Sequence, residues 1–129
     1  MTEKEYKKEL AEAHESYKKL APISCPHLDN EKIVFNRLGF NHLVRKGNKL
    51  RPRHEVLLRL SYLQKITHVI SSPKSVCEQR VESYESLKVH YWGLTLQIEK
   101  NLILRVVVRQ INSGPKHFFS IMQKNKKKE

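Results

Sequence analysis

Residues 91–110 read YWGLTLQIEKNLILRVVVRQ, and their apolar positions recur with a period of two. Trp92, Leu94, Leu96 and Ile98 fall on one side of an extended chain, with Tyr91, Thr95 and Gln97 on the other. Glu99-Lys100-Asn101 is a candidate tight turn. Beyond it, Leu104, Val106 and Val108 share one side, while Arg105 and Arg109 share the opposite side. The pattern predicts an antiparallel pair with one apolar and one polar face. Asn112-Ser113-Gly114-Pro115 is a further turn signal, and His117-Phe118-Phe119-Ser120-Ile121 follows as a third strand.

Upstream the period changes. Val56, Leu57, Leu60, Leu63, Ile66 and Ile70 form a helical apolar face that starts after Pro52 and stops at Ser71-Ser72-Pro73. Thr2 with Glu5 matches a capping box, and Tyr6, Leu10, Ala13, Tyr17 and Leu20 form the stripe of a first helix. A loop is expected through Asn30, then a short strand at 32–35. A turn or short helix follows at 36–43 and presents His42, and a basic loop comes next at 45–51. The fold class expected is α+β, with N-terminal helices packed on one face of a small antiparallel sheet. Residues 1–30 read as an N-terminal helix and loop, 31–122 as the α+β domain, and 123–129 as a basic tail expected to be disordered.

Charge bounds the function. Lys and Arg number 25 against 13 Asp and Glu, a formal net charge of +12. Residues 1–20 hold five lysines and five glutamates, so the whole excess lies downstream. A surplus this segregated points to a polyanionic partner. A merely solvated basic surface is the plainer alternative. The longest apolar run is far short of the ~20 residues of a membrane span. Two cysteines, Cys25 and Cys77, make no disulfide framework, so a reduced cytoplasmic protein is expected.

With the apolar rows turned to the helices, Tyr91, Thr95, Arg105, Arg109, Lys116 and Ser120 are expected on the opposite sheet face. They form either a solvated surface or an anion site. His42, beside the densest basic loop, is the candidate general base among seven histidines. Arg51-Pro52-Arg53 sets cations at a helix start, where they oppose the dipole unless an anion binds. The spacing of His, Cys and acidic residues suggests no zinc or magnesium site and no cofactor.

Gly39-Phe40-Asn41-His42-Leu43, the basic Arg51-Pro52-Arg53, Leu104 to Arg109, and Lys116 to Ser120, in that order, resemble the phage-associated branch of the barnase–EndoU–colicin–RelE nuclease superfamily. The likeness spans roughly residues 33 to 122. It implies a barnase/RelE-like sheet and a metal-independent endoribonuclease, a toxin or mobile-element effector. Such an enzyme uses the 2′-OH of RNA to form a 2′,3′-cyclic phosphate. It also implies His42, Arg53, Arg109 and Ser120 as catalytic residues. Lys46, Arg51, Tyr91, Arg105, Lys116 and His117 are the expected nucleic-acid contacts. No glutamate stands out on the expected sheet, which argues against a barnase-like acid–base pair. RNA, tRNA first by analogy, is the expected partner, together with an acidic antitoxin or immunity protein and no membrane. The alternative is a non-catalytic RNA- or DNA-binding module.

Overall fold

A computed structural model describes residues 1–124. The Thr2 side chain accepts the Glu5 backbone N–H at 3.1 Å and starts helix α1 (Glu3–Lys18). Glu3 and Glu5 in its first turn and Lys18 in its last suit the helix dipole. The rest of the expected loop is partly ordered as sheet: β1 (Ile23–Cys25) pairs antiparallel with β2 (Glu31–Ile33). Asp29 and Asn30 turn the chain between them at φ 54° and 60°, a conformation their short polar side chains tolerate. Tyr17, Cys25 and Leu28 join the same core as the sheet, so residues 1–30 are no separate unit.

Asn36 caps α2 (Arg37–Val44), its side chain accepting the Gly39 N–H at 3.3 Å. The expected basic loop is a miniature hairpin, β3 (Arg45–Lys46) and β4 (Lys49–Leu50), turning through Gly47 at φ 63°. The expected single helix after Pro52 is two, α3 (Arg53–Leu60) and α4 (Leu63–Ser71). Ser61 turns its hydroxyl back onto the Leu58 carbonyl, a local bond that competes with helix continuation. Tyr62 reaches across to Gln123 at 3.1 Å. The apolar stripe keeps its phase through the break, so its spacing does not betray it.

Four antiparallel strands follow: β5 (Val76–Tyr84), β6 (Leu87–Glu99), β7 (Leu102–Ile111) and β8 (His117–Lys124), ordered β5-β6-β7-β8. The α+β class is as expected, with one strand more. Strand β5 escaped notice because Val76-Cys77-Glu78-Gln79-Arg80-Val81-Glu82 is polar on both faces and mostly exposed. Gln123 and Lys124, expected in the tail, extend β8; the remainder of that tail, 125–129, lies outside the described residues. Among the described residues no helix is long and apolar enough to cross a membrane.

Helices α2 and α4 cover the apolar face of β6 to β8. Leu43, Ile66, Ile70, Leu94, Leu104, Phe118 and Ile121 are fully buried between the layers, each stabilising by about 1.5–3 kcal/mol. Val34 closes the β8 edge: its N–H donates to Lys116 at 3.0 Å, and its carbonyl accepts from Phe118 at 2.9 Å. Strand β5 is left as the open edge of the sheet, studded with Glu78, Arg80 and Glu82.

Gly39 sets how closely α2 approaches the sheet. A Cβ there would stand 2.5 Å from the Tyr17 hydroxyl and 2.6 Å from the Phe118 carbonyl. Gly39→Ala should therefore cost about 1–3 kcal/mol through overpacking, read as a lower urea midpoint. An unchanged midpoint would mean that α2 can shift freely from β8.

Candidate functional site

Strand register builds the open sheet face. Tyr91 pairs with Arg109, Gly93 with Val107 and Thr95 with Arg105. On the other flank, Glu78 pairs with Gly93 and Arg80 with Tyr91. Directly paired residues share a face, so these side chains line one surface. A cleft of about 540 Å³ runs over it, from Glu78 and Arg80 on β5 past Tyr91 and Arg105 to Ser120 and His42.

A bulge in β8 decides what reaches that cleft from the last strand. Val108 pairs with Phe118 and Val107 with Ser120, leaving Phe119 as the extra residue. Such an insertion re-aims the side chains on either side of it. Phe119 and Ser120 both line the cleft, and Phe118 stays in the core. His117 moves to the Arg109 side. Lys116, expected on the polar face, instead pairs with Glu31 and lies over Trp92, 5.4 Å from the ring centroid. Simple alternation places Lys116 wrongly because it does not count the inserted residue.

Phe119 is the hub of the site, although its apolar character marked it for the core. Its ring lies 4.6 Å from the His42 ring and 5.9 Å, edge-on, from Tyr91. The Arg109 guanidinium covers it at 4.1 Å, and Arg80 covers Tyr91 at 4.5 Å. The Arg109 Nε–H donates to His117 Nε2 at 3.1 Å, and His117 Nδ1 faces the Pro115 carbonyl at 3.3 Å. His117 thus serves as a neutral acceptor, protonated on Nδ1, that orients Arg109. Burial pushes its pKa down, the Pro115 bond opposes this, and Arg109 pushes it down further.

Two further residues were legible only in part. Glu78, on the edge strand β5, supplies the sheet face with a glutamate that the expected three-strand sheet lacks; it stands 3.6 Å from Arg105 Nη1. Gly93 makes room for that guanidinium, since a Cβ at 93 would collide with Arg105. A glycine inside an alternating strand is the signal of such a close approach.

His42 enters the cleft from α2. Its Nδ1 is sealed and unpartnered, which leaves Nε2 as the nitrogen open to the cleft. Burial lowers its pKa, and Arg51, Arg59 and Arg109 each lower it further. Arg51 is only 8% exposed and donates Nε–H to the His42 carbonyl at 3.1 Å. Arg59 donates to the Ile121 carbonyl. Arg53, expected as catalytic, is held elsewhere: it pairs with Glu3 and lies 4.8 Å over the Tyr6 ring. Lys46 stands exposed on the β3–β4 hairpin, outside the lining of the cleft.

The structure therefore gathers His42, Tyr91, Arg105, Arg109, Ser120 and His117, with Arg51 close behind, and leaves out Arg53, Lys46 and Lys116. Among the described residues no three His, Cys, Asp or Glu side chains cluster as a metal site. No family model, curated protein or solved structure matches the chain.

The two histidines set a pH dependence. Both have folded pKa values below that of the unfolded chain, so below about pH 6.5 the unfolded state binds more protons. Stability is then full above that pH and lost as pH falls through the folded values. The melting temperature should drop between pH 7 and pH 5, and His117→Gln should flatten that drop. An identical pH profile in the variant would rule out His117 as a source.

Proposed function

We propose that this chain is an endoribonuclease that cleaves RNA in the sheet cleft without a metal. The observation that carries this reading is His42. It is a histidine kept neutral by burial and by three arginines, with Nε2 open to a cationic cleft. A neutral imidazole can accept a proton near pH 7. In the proposed reaction His42 Nε2 takes the proton of a ribose 2′-OH, and the 2′ oxygen forms a bond to phosphorus. The bond from phosphorus to the 5′ oxygen breaks, and that oxygen takes a proton from the imidazolium or from water. The products are a 2′,3′-cyclic phosphate and a 5′-hydroxyl.

Arg109, held by His117 and Phe119, and Arg105 are suited to the charge that develops on the phosphate oxygens. Ser120, 4% exposed, would donate a hydrogen bond to the same group. These roles take over what Arg53 was expected to do. Tyr91, partly exposed in the cleft with Arg80 over one ring face, offers surface for an unstacked base. The likeness to the phage-associated nuclease branch supports the same reading. So does the net charge of +12, which an acidic inhibitor protein would complement. The free thiols Cys25 and Cys77 suit a reducing cytoplasm.

A second reading, a binding module that grips RNA or DNA without cutting, is favoured by the guanidinium groups that cap Tyr91 and Phe119. One assay separates the two. Purified protein is incubated with total RNA in EDTA, and the fragment ends are read. Cleavage should yield cyclic-phosphate ends and leave an all-deoxy substrate intact. His42→Ala should slow it by about 10²–10⁴-fold while sparing binding. Cut DNA would sink the mechanism, and RNA that shifts on a gel but stays whole would favour the binding module.

A further inference from the structure

Acidic residues are placed with economy in this protein, and none is spent on Arg51 or Arg59. Among the described residues the ion pairs join Lys18 to Glu15, Arg53 to Glu3, Lys65 to Glu99, Arg80 to Glu82, Arg105 to Glu78 and Lys116 to Glu31. Arg51 is more than nine-tenths buried, yet among the described residues no carboxylate lies within ion-pairing distance of it. Arg59 is half-buried and has no carboxylate partner among the described residues either. A guanidinium cannot shed its charge at accessible pH. A cation held partly out of water without a counter-charge is unfavourable until an anion reaches it.

The two cations also repel one another. Burial lowers the proton affinity of Arg59, and Arg51 lowers it further; Glu55, one turn away, offsets only part of this. The pair is nonetheless held in place. The His42 carbonyl fixes Arg51 through Nε, and the Ile121 carbonyl fixes Arg59 through Nη1. The other guanidinium N–H groups have no acceptor among the described residues, and none of them is sealed from solvent. The arginines stand behind the cleft wall rather than in it: His42, which holds Arg51, lines the cleft, and Ile121, which holds Arg59, lies between the lining residues Ser120 and Met122. Two anchored guanidinium groups, with donors to spare beside a neutral imidazole, match the several acceptor oxygens of a phosphate better than a carboxylate's two.

We propose that Arg51 and Arg59 form a phosphate seat at the His42 end of the cleft, in which one phosphate of the bound RNA strand docks. This deepens the nucleic-acid reading of the same cleft and adds Arg59, which the sequence did not single out. The sheet cation Arg80, on β5, lies at the other end, three strands from the Ile121 anchor on β8, roughly 14 Å at ~4.8 Å per strand spacing, and Arg105 on β7 lies between. The strand would therefore be gripped at two points. The seat stores electrostatic strain in the free protein that a bound phosphate relieves.

The test measures binding of a labelled single-stranded oligodeoxynucleotide, which the proposed reaction cannot cut, across a range of salt. Melting temperature with and without inorganic phosphate is recorded in parallel. The proteins are the wild type, Arg51→Gln, Arg59→Gln, Arg59→Lys and Lys65→Gln, the last altering a cation already paired with Glu99.

Each Gln variant should weaken binding at least about tenfold and reduce the slope of log affinity against log salt by about 0.7–1. Each should melt no lower than wild type in phosphate-free buffer, because an unpaired buried charge has been removed. Arg59→Lys should recover part of the slope, and Lys65→Gln should match wild type. The seat is overturned if both Gln variants keep the wild-type slope, or if they merely melt lower with binding lost in proportion. Binding that depends on Arg59 without RNA cleavage would uphold the seat and remove the nuclease. A wild type that ignores the oligonucleotide but is stabilised by phosphate through these arginines would uphold the seat and remove nucleic acid as its ligand. Indifference to both ligands would remove the seat.

Discussion

The register between β6 and β7 is the constraint on which the molecule depends. Leu94 faces Val106, Trp92 faces Val108 and Leu96 faces Leu104, which gives α2 and α4 a continuous apolar surface. The same pairing puts Tyr91 beside Arg109 and Thr95 beside Arg105 on the reverse. Because side chains alternate with a period of two, a slip of one residue in either strand would carry arginines into the core and leucines to the surface. Core and cleft are thus two consequences of one backbone alignment. The hydrophobic face pins the geometry of the polar face without touching it.

On that frame, Phe119 departs from the rule that apolar residues go inside. The bulge gives it to the cleft, where it bears against His42, Tyr91 and Arg109 together. An aromatic ring can satisfy all three neighbours because its faces attract cations and its body packs against other rings. Arg109 is held from a second direction by His117, which must stay neutral to accept its N–H. The site consequently combines rigid aromatic packing with cations that are oriented by neutral partners. Among the described residues, carboxylates reach this arrangement only at its β5 side, Glu78 at Arg105 and Glu82 at Arg80, and Arg109 has none. The result is a surface whose positive charge is partly offset on the β5 side and left unpaired at Arg109.

Much of this was legible from residue order. The capped first helix, the stop after Ser71 and the alternation of Tyr91–Gln97 against Ile103–Arg109 all rest on local chemistry, and the structure has each of them. The polar face with Tyr91, Arg105, Arg109 and Ser120 was legible for the same reason, as was His42 on its short helix. Other features left no local trace. Strand β5 has no apolar face because it lies at the edge, so its Glu78 could not be counted among the sheet residues. The stripe from Val56 to Ile70 stays in phase across a broken backbone.

The sequence by itself determined the fold class and the sign of the open face, since periodicity and charge are properties of residues near each other in the chain. Only the tertiary structure decided which cations share the cleft. Arg53 is drawn to Glu3 and Tyr6 on another helix, and Lys116 to Glu31 across a bulge. Arg59 is fastened to the sheet by a packing that joins the α3 side chain to the carbonyl of Ile121, close enough to Arg51 for that charge to lower its proton affinity. Those outcomes turn on partners dozens of residues away. Electrostatic pairing depends on distance in space, which the order of residues does not contain.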